Sequence, residues 1–510
     1  MKKFKTDFSR YTRFEDSNYP RLITPKRAND FNNGKRPLPI TVLEEANKKN
    51  LSSTIDEKEK YFVHWFRSDL RVHDNTTLYH LVEEAKRIKA HPIGLYIISE
   101  HDWRTHLESP FKIEFILKSL EVLKKSLLNL NIPLCIVHTA DKIDVKWFEK
   151  LVKERLQSST VFFNIQYEFD ELKRDISILN SKELNCRAFH DQCAVKPGTL
   201  TTGKGSQYAK FTPWFNKWQK EKFNVLEITH KFSKSSIPDV KSDNYKDMLS
   251  SEFLLGNNKR LEYTEPEEAL NNWIPKANGY KQNKDNPADD HASSRLSSHL
   301  AVGTLSSRYV ISKCKEFEFV REVAFRDFYK HVLANWPYLA MYLPFNFAAT
   351  TIKWSDDISL FEKWCMGQTG FPFVDATMRQ LLETGYINNR CRMVVASFLA
   401  KDLGQDWRMG EKWFHHHLVD ADLSSNNAGW GWASSTGIDA QPWFRIFNVY
   451  TQSSKFDPDG IFIKKWVPEL KDVDASDLHG PLDVEGYPTP IVDRAQAREE
   501  ALDRYREALT

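Results

Sequence analysis

The chain has 510 residues, 41% of them hydrophobic, and a net charge of +3. That length exceeds what one core can organise and requires two or three domains, while the small charge confines any nucleic-acid surface to a local patch. No apolar run approaches the roughly 20 residues of a membrane helix, and six scattered cysteines without a CxxC pair exclude a disulfide or zinc framework and suit a reducing compartment.

Residues 1–58 are polar, basic and turn-rich, and without periodic apolar spacing they are expected to be a disordered extension. Asp16, Glu44 and Glu45 make a poor transit peptide. PKR at 25–27 and GKRP at 34–37 are weak nuclear-import candidates, for which a solvated tail is the plainer reading. Nucleus and mitochondrion both stay open as destinations.

From 59 to 192 short apolar runs recur: YFVHWF (61–66), HPIGLYII (91–98), PLCIVHT (133–139), TVFFNIQY (160–167) and NCRAFHD (185–191). Helical spacing lies between them, clearest over 110–130. This alternation predicts an α/β domain with a five-stranded parallel, Rossmann-like sheet. RSDLRVHDN stands where GxGxxG would follow the first strand, which disfavours an ordinary dinucleotide site. Residues 193–270 read as a long interdomain linker rich in Lys, Ser, Asn and Pro. Over 271–508 the patterning is helical, and a second, large all-helical domain is expected.

Within that domain several stretches could carry chemistry. ASSRLSSHL (292–300) places small hydroxyls around Arg295 ahead of a helix, which suits a phosphate and equally a plain N-cap. In EVAFRDFYKH (322–331), Glu322 beside Phe325 and Arg326 could have a raised pKa or be a surface glutamate. Asn389 and Met393 share a helix face in YINNRCRMVVASF, forming either a soft polar lining or an ordinary polar edge. Asp420 and Asp422 could ligate a metal, cap the next turn or pair with Arg392, but two carboxylates are few for a metal. The histidines at 415–417 point in different directions on a helix and read as surface residues rather than a zinc motif. SSNNAGWGWASSTGID (424–439) is the sharpest signal: Trp430 and Trp432 amid small residues are either a core corner or a floor for a planar molecule. Of 15 tryptophans, nine lie from Trp336 onward.

In this order, WFRSDLRVHDN, SSRLSSHLAVGTLS, REVAFRDFYKH, TGFPFVDATMRQLLETGYINNRCRM, DWRMGEKWF and NNAGWGWASSTGIDAQPWFRIFN resemble the photolyase/cryptochrome flavoprotein family over residues 60–505. The class I cyclobutane pyrimidine dimer photolyases, fungal ones in particular, are the most similar group. The resemblance implies an antenna domain, a linker and a helical domain holding folded FAD. Tyr280, Ser293, Ser294, Arg295, Leu296 and Ser297 fall on the FAD phosphate side. Phe319 and Arg326 fall at flavin- or DNA-proximal positions. Arg392 with Asp420 forms an ion pair over the flavin, Ala421 and Asp422 line the cofactor, and Asn426 faces flavin N5. Trp354, Trp407 and Trp430 match an electron-passing chain.

Glu322, Asn389 and Met393 match dimer-contacting residues, and Trp432 and Phe325 match the aromatic walls of the lesion pocket. Lys284, Arg390, Arg445 and Gln452 match DNA-gripping positions, the basic ones through phosphate. His106, Asp170 and Glu171 match a 5,10-methenyltetrahydrofolate antenna site, with Asp170 standing where asparagine is usual; a deazaflavin or an empty site is the alternative.

The implied activity is light-driven repair of pyrimidine dimers in DNA by a monomer, through electron transfer from excited reduced FAD to a flipped-out dimer. Asn389 and Met393 in place of two histidines argue against (6-4) repair, and Trp432 argues against a DASH-type protein. Phenylalanine at 325, where tryptophan is usual, implies weakened lesion binding. A blue-light photoreceptor of cryptochrome type is the alternative, disfavoured by the helix RAQAREEALDRYREAL (494–509) standing where such proteins carry a long tail.

Overall fold

The computed structural model describes residues 7–14, 23–257 and 259–509. Three helices precede the sheet: α1 (Ser9–Thr12), α2 (Pro25–Asn32) and α3 (Pro39–Ser52). They correct the expectation of a disordered extension over 1–58, part of which (1–6 and 15–22) lies outside the described residues. Tyr11, Ala28, Phe31 and Leu43 are almost fully buried. They bury against the rest of the protein, and in α3 the buried Ile40, Leu43, Ala46 and Asn47 fall on one helical face. The PKR run opens α2, with Thr24 capping and Pro25 at the first helical position, where its missing N–H costs nothing.

The sheet comprises β1 (Tyr61–Phe66), β2 (His91–Ser99), β3 (Leu134–Thr139), β4 (Thr160–Asn164) and β5 (Asn185–Phe189) in the order β3-β2-β1-β4-β5. All four pairings are parallel, with Val63 opposite both Ile93 and Val161. Every residue of β2 is buried, as a sheet covered on both faces demands. The crossings are made by α4 (Thr76–Ile88), α5 (Glu100–Thr105), α6 (Pro110–Asn129), α7 (Val145–Lys150) and α8 (Phe169–Leu179).

At the carboxyl end of β1, RSDLRVHDN builds a side-chain network. Asp69 accepts from His64 (3.0 Å) and Asn164 (2.6 Å), and Asn75 caps α4. Arg308, from the helical domain, reaches Asp74 (3.0 Å) and Asp191 (2.8 Å), and Arg71 joins Asp191 from the other side. Gly303 abuts this loop so closely that a Cβ would sit 2.0 Å from the Ser68 carbonyl.

The connecting region carries α9 (Phe211–Trp218), α10 (Tyr245–Met248) and α11 (Pro266–Trp273). The buried α9, FTPWFNKW, is more structure than a loop-like linker implied. Beyond it lie α12 (Tyr280–Asn283), α13 (Ser297–Val302), α14 (Ser307–Lys313), α15 (Phe317–Asn335), α16 (Ile358–Cys365), α17 (Pro372–Thr384), α18 (Asn389–Ser397), α19 (Trp407–His417), α20 (Leu423–Ala433), α21 (Val449–Phe456), α22 (Ile461–Trp466) and α23 (Arg494–Leu509). No strand follows β5 among the described residues. No helix is long and apolar enough to cross a membrane among those residues.

Candidate active site

The strip 280–285 links Glu322 on α15 to the start of α18, where Asn389 and Met393 lie. Lys284 Nζ lies 2.6 Å from Glu322 Oε1, and the Lys284 carbonyl accepts from Asn388, whose side chain caps α18. Arg390 pairs with Asp285 at 2.7 Å, and its guanidinium lies over Phe456. Asn389 Nδ2 approaches the Met393 thioether at 3.6 Å, so an amide and a soft sulfur present together. Tyr280 stands edge-on to Trp273 and Phe319; Phe319 itself is buried.

Phe325 does not stand alone. Its ring stacks on Phe211 of α9, centroids 3.5 Å apart and planes within 11°, with the Arg321 guanidinium over both. Arg326 donates to the carbonyls of Gln192 (2.6 Å) and Leu300 (3.0 Å). These bonds tie α15 to the backbone of neighbouring segments.

The tryptophan-rich run forms α20, capped by Asp422, which accepts from Ser425 N. Burial would raise the Asp422 carboxyl, but buried Lys330 at 2.5 Å holds it well below the usual carboxylate range. Lys330 also reaches Glu168 of the sheet domain at 3.2 Å. Asn426 donates to the Glu411 backbone carbonyl and Asn427 to Glu411 Oε1, both at 2.9 Å. Burial pushes the Glu411 carboxyl up to about 7.

Trp430 is 2% exposed, and its ring fits only because residue 410 is glycine: a Cβ there would lie 2.1 Å from the indole. Trp407 and Trp430 are buried in one apolar cluster, and half-buried Trp354 packs at its edge beside Tyr505. Trp364, which no motif singled out, contacts Trp430 with centroids 6.0 Å apart. Trp432 is half-buried near Phe447. The small residues thus serve core packing at Gly410, Gly431 and Gly437, whereas Gly429 faces open space.

Arg392 donates to both oxygens of Asp420 (3.0 and 2.9 Å) and to the Ile387 carbonyl, with Ala421 buried beside them. Nearby a cavity of about 430 Å³ is lined by Ser293, Ser294, Arg295, Ser298, His299 and Tyr386, among others. Ser293 Oγ lies 2.8 Å from the Tyr386 hydroxyl. Arg295 has a left-handed φ of +53°, a conformation that a non-glycine residue adopts only when its surroundings hold it there. Its guanidinium pairs with Glu262 and Asp290 and lies over Tyr386. Leu296 is buried and Ser297, opening α13, is exposed. Burial depresses His299 to about 4, so it stands neutral at pH 7. Four hydroxyls and a guanidinium lining one cavity fit a phosphate-bearing cofactor such as FAD.

In the sheet domain, His106 Nδ1 lies 3.4 Å from Glu171 and Nε2 4.0 Å from Asp170, both in the first turn of α8. Burial pushes both carboxyls up. The histidine run is half-buried rather than on the open surface that the sequence suggested. Tyr11 OH meets His416 Nδ1 at 2.7 Å, His417 Nδ1 meets the Trp413 carbonyl at 2.8 Å, and burial lowers all three imidazoles. The cover is the segment ahead of the sheet. Arg445 is exposed, and Gln452 is half-buried on α21. Among the described residues, no group of three His, Cys, Asp or Glu is placed to hold a metal.

Sequence motifs pointed to most of these groups but not to Lys330, Glu411 or Phe211. Their roles come from contacts between distant segments, which no local pattern encodes.

A parallel five-stranded domain joined to a helical domain with a hydroxyl-lined cavity and a buried tryptophan cluster defines a two-domain flavoprotein architecture. The family model for DNA photolyase matches residues 62–233, and that for the FAD binding domain of DNA photolyase matches 319–507. The chain belongs to the DNA photolyase family, and its helical domain is that family's FAD-binding domain. It is 39% identical to the mitochondrial deoxyribodipyrimidine photo-lyase of Saccharomyces cerevisiae, covering 99% of this chain and 96% of that one. It is 38% identical to the deoxyribodipyrimidine photo-lyase of Neurospora crassa, covering 96% and 89%. A bacterial class III photolyase from Agrobacterium tumefaciens superposes with a TM-score of 0.78 at 31% identity, covering 90% and 99%.

Proposed function

We propose that this chain is a deoxyribodipyrimidine photo-lyase, which splits cyclobutane pyrimidine dimers in DNA under light. The observation that carries this reading is the link of Glu322 through Lys284 to the start of α18, which bears Asn389, Met393 and the Arg390 cation. FAD, when bound, supplies the electron under light. The chain's own residues do the rest. Glu322 and Asn389 offer hydrogen bonds to pyrimidine edges, and Met393 offers a polarisable contact. Trp432 and Phe325 give stacking surface for the flipped bases, at about 1–3 kcal/mol per base. Lys284, Arg390, Arg445 and Gln452 line the approach of the DNA, the cations toward phosphate. Extrusion costs least at a damaged, poorly stacked step, which favours the lesion over intact DNA.

Tyr280, the Ser293–Ser297 run, Arg392, Asp420, Ala421, Asp422 and Asn426 hold the cofactor. The Asn426 amide is pinned by Glu411, which leaves its carbonyl oxygen to accept. Trp354, Trp407 and Trp430 pass electrons inward from solvent. The antenna is 5,10-methenyltetrahydrofolate at His106, Asp170 and Glu171; the pairing of one imidazole with two carboxyls of raised pKa supports a hydrogen-bonding heterocycle there. The enzyme works as a monomer in the nucleus, and in the mitochondrion in view of the name of its yeast relative.

Titration with fluorescent oligonucleotides tests the reading. A dimer-containing strand is expected to bind at least a hundredfold tighter than an intact one. Equal affinity would replace repair by the photoreceptor reading.

A further inference from the structure

The segment ahead of the sheet docks at two places, one on α19, which packs on α6, and one on Tyr338, whose segment packs on α8, the helix that carries Asp170 and Glu171. At the first, Tyr11 is 2% exposed, packs edge-on to Trp413 (4.9 Å) and bonds His416, while Phe8 stacks on Trp413 at 5.9 Å. Lys412 donates to the Arg13 carbonyl at 2.7 Å. One residue along α19, His415 responds to the charges of Glu108 and His106 in the sheet domain. At the second, Phe31 of α2 shares an apolar cluster with Tyr338, Met341 and Phe169, the residue before Asp170. Asn32 Nδ2 adds a contact to the Tyr338 hydroxyl at 3.4 Å. The segment is then anchored by Asn47 of α3, which bonds Ala188 of edge strand β5 in both directions at 2.8 Å.

Around the His106 cluster three buried polar atoms stand without partners. Thr105 Oγ1, Glu168 Oε2 and His415 Nδ1 are shielded from solvent and make no hydrogen bond among the described residues. A buried polar group left unsatisfied is costly, so three together mark a place for a hydrogen-bonding ligand.

We propose that residues 8–14 and 25–32 form the outer wall of the antenna-pigment site and slow the release of a pterin-like heterocycle held by His106, Asp170 and Glu171. The inference rests on the antenna reading above. It gives the segment a structural task in the folded enzyme, beside any role in targeting.

The test loads the full chain with 5,10-methenyltetrahydrofolate and follows loss of its absorbance after dilution. Tyr11→Ala in the full chain, and a chain lacking residues 1–24, are both expected to release the pigment at least tenfold faster while retaining FAD. Tyr11→Phe, which keeps the ring and loses the hydroxyl, is expected to fall between. Hydrogen exchange at Trp413–His417 is expected to rise in Tyr11→Ala. Should the truncated chain fail to fold, Tyr11→Ala decides. Pigment uptake with an unchanged release rate in that variant overturns the wall while leaving the antenna site standing. A full chain that takes up no folate overturns the antenna reading and the wall with it.

Discussion

Phe325 is the residue at which this chain departs most from the family pattern, and its surroundings say what the departure does. A phenyl ring offers less stacking area than an indole, but here it is backed by Phe211 and topped by Arg321, so the wall is rigid though small. Phe325→Trp is expected to tighten binding of dimer-containing DNA about three- to tenfold, a fraction of the roughly 1–3 kcal/mol of a base–aromatic stack. Phe211→Ala, which removes the backing, is expected to weaken it; fluorescence titration reads both.

Glu411 makes a second residue-scale prediction. Burial raises its carboxyl to about 7, so the folded chain keeps a proton that the unfolded chain releases above the ordinary value of 4.5. Its contribution to stability therefore falls as pH rises from about 4.5 to about 7 and is level above. Glu411→Gln keeps the bond to Asn427 without the titration. Urea unfolding is expected to show the variant gaining on the parent between pH 5 and pH 8.

At the scale of elements, α19 and α20 are one unit. Gly410 on the first admits Trp430 of the second, and Glu411 on the first fixes Asn426 and Asn427 of the second. Trp430→Phe is expected to lower light-driven reduction of FAD at least tenfold in flash absorption while dimer binding is unchanged, because an aliphatic or phenyl gap cannot relay the electron that an indole relays. The five strands were legible because each is a continuous apolar run bounded by turns, as burial on both faces requires. α18 and α20 were legible for a different reason: their motifs are specific to a family. α1 and α2 escaped because they hold too few apolar residues to show a period, whereas α3 and α9 do carry helical spacing (Ile40, Leu43, Ala46; Phe211, Trp214, Phe215, Trp218) and were hidden by the polar, turn-rich sequence around them. The histidines of α19 looked exposed because the cover over them comes from Tyr11, some 400 positions earlier. The carbonyl partners of Arg326 were not legible, because backbone groups carry no sequence signal.

The whole molecule is held in register by charge buried between its halves. Asp74 and Asp191 of the sheet domain receive Arg308 of the helical domain, and Lys330 spans Glu168 and Asp422. Breaking such pairs strands a buried charge at about 3–5 kcal/mol, so the relative placement of the halves is stiff. Lys330 links the sheet domain directly to the residue that caps α20, the helix bearing Asn426 and Trp430. The loop that would cradle a dinucleotide phosphate in an ordinary Rossmann domain has become the socket of this joint. Everything converges on one claim, that the site on α15 and α18 delivers an electron to a pyrimidine dimer. The most direct measurement is anaerobic illumination of the reduced protein with a dimer-containing oligonucleotide, following absorbance at the thymine band. Recovery of that absorbance in the light and none in the dark is predicted; a flavin-loaded protein that binds the oligonucleotide yet restores no thymine would contradict it.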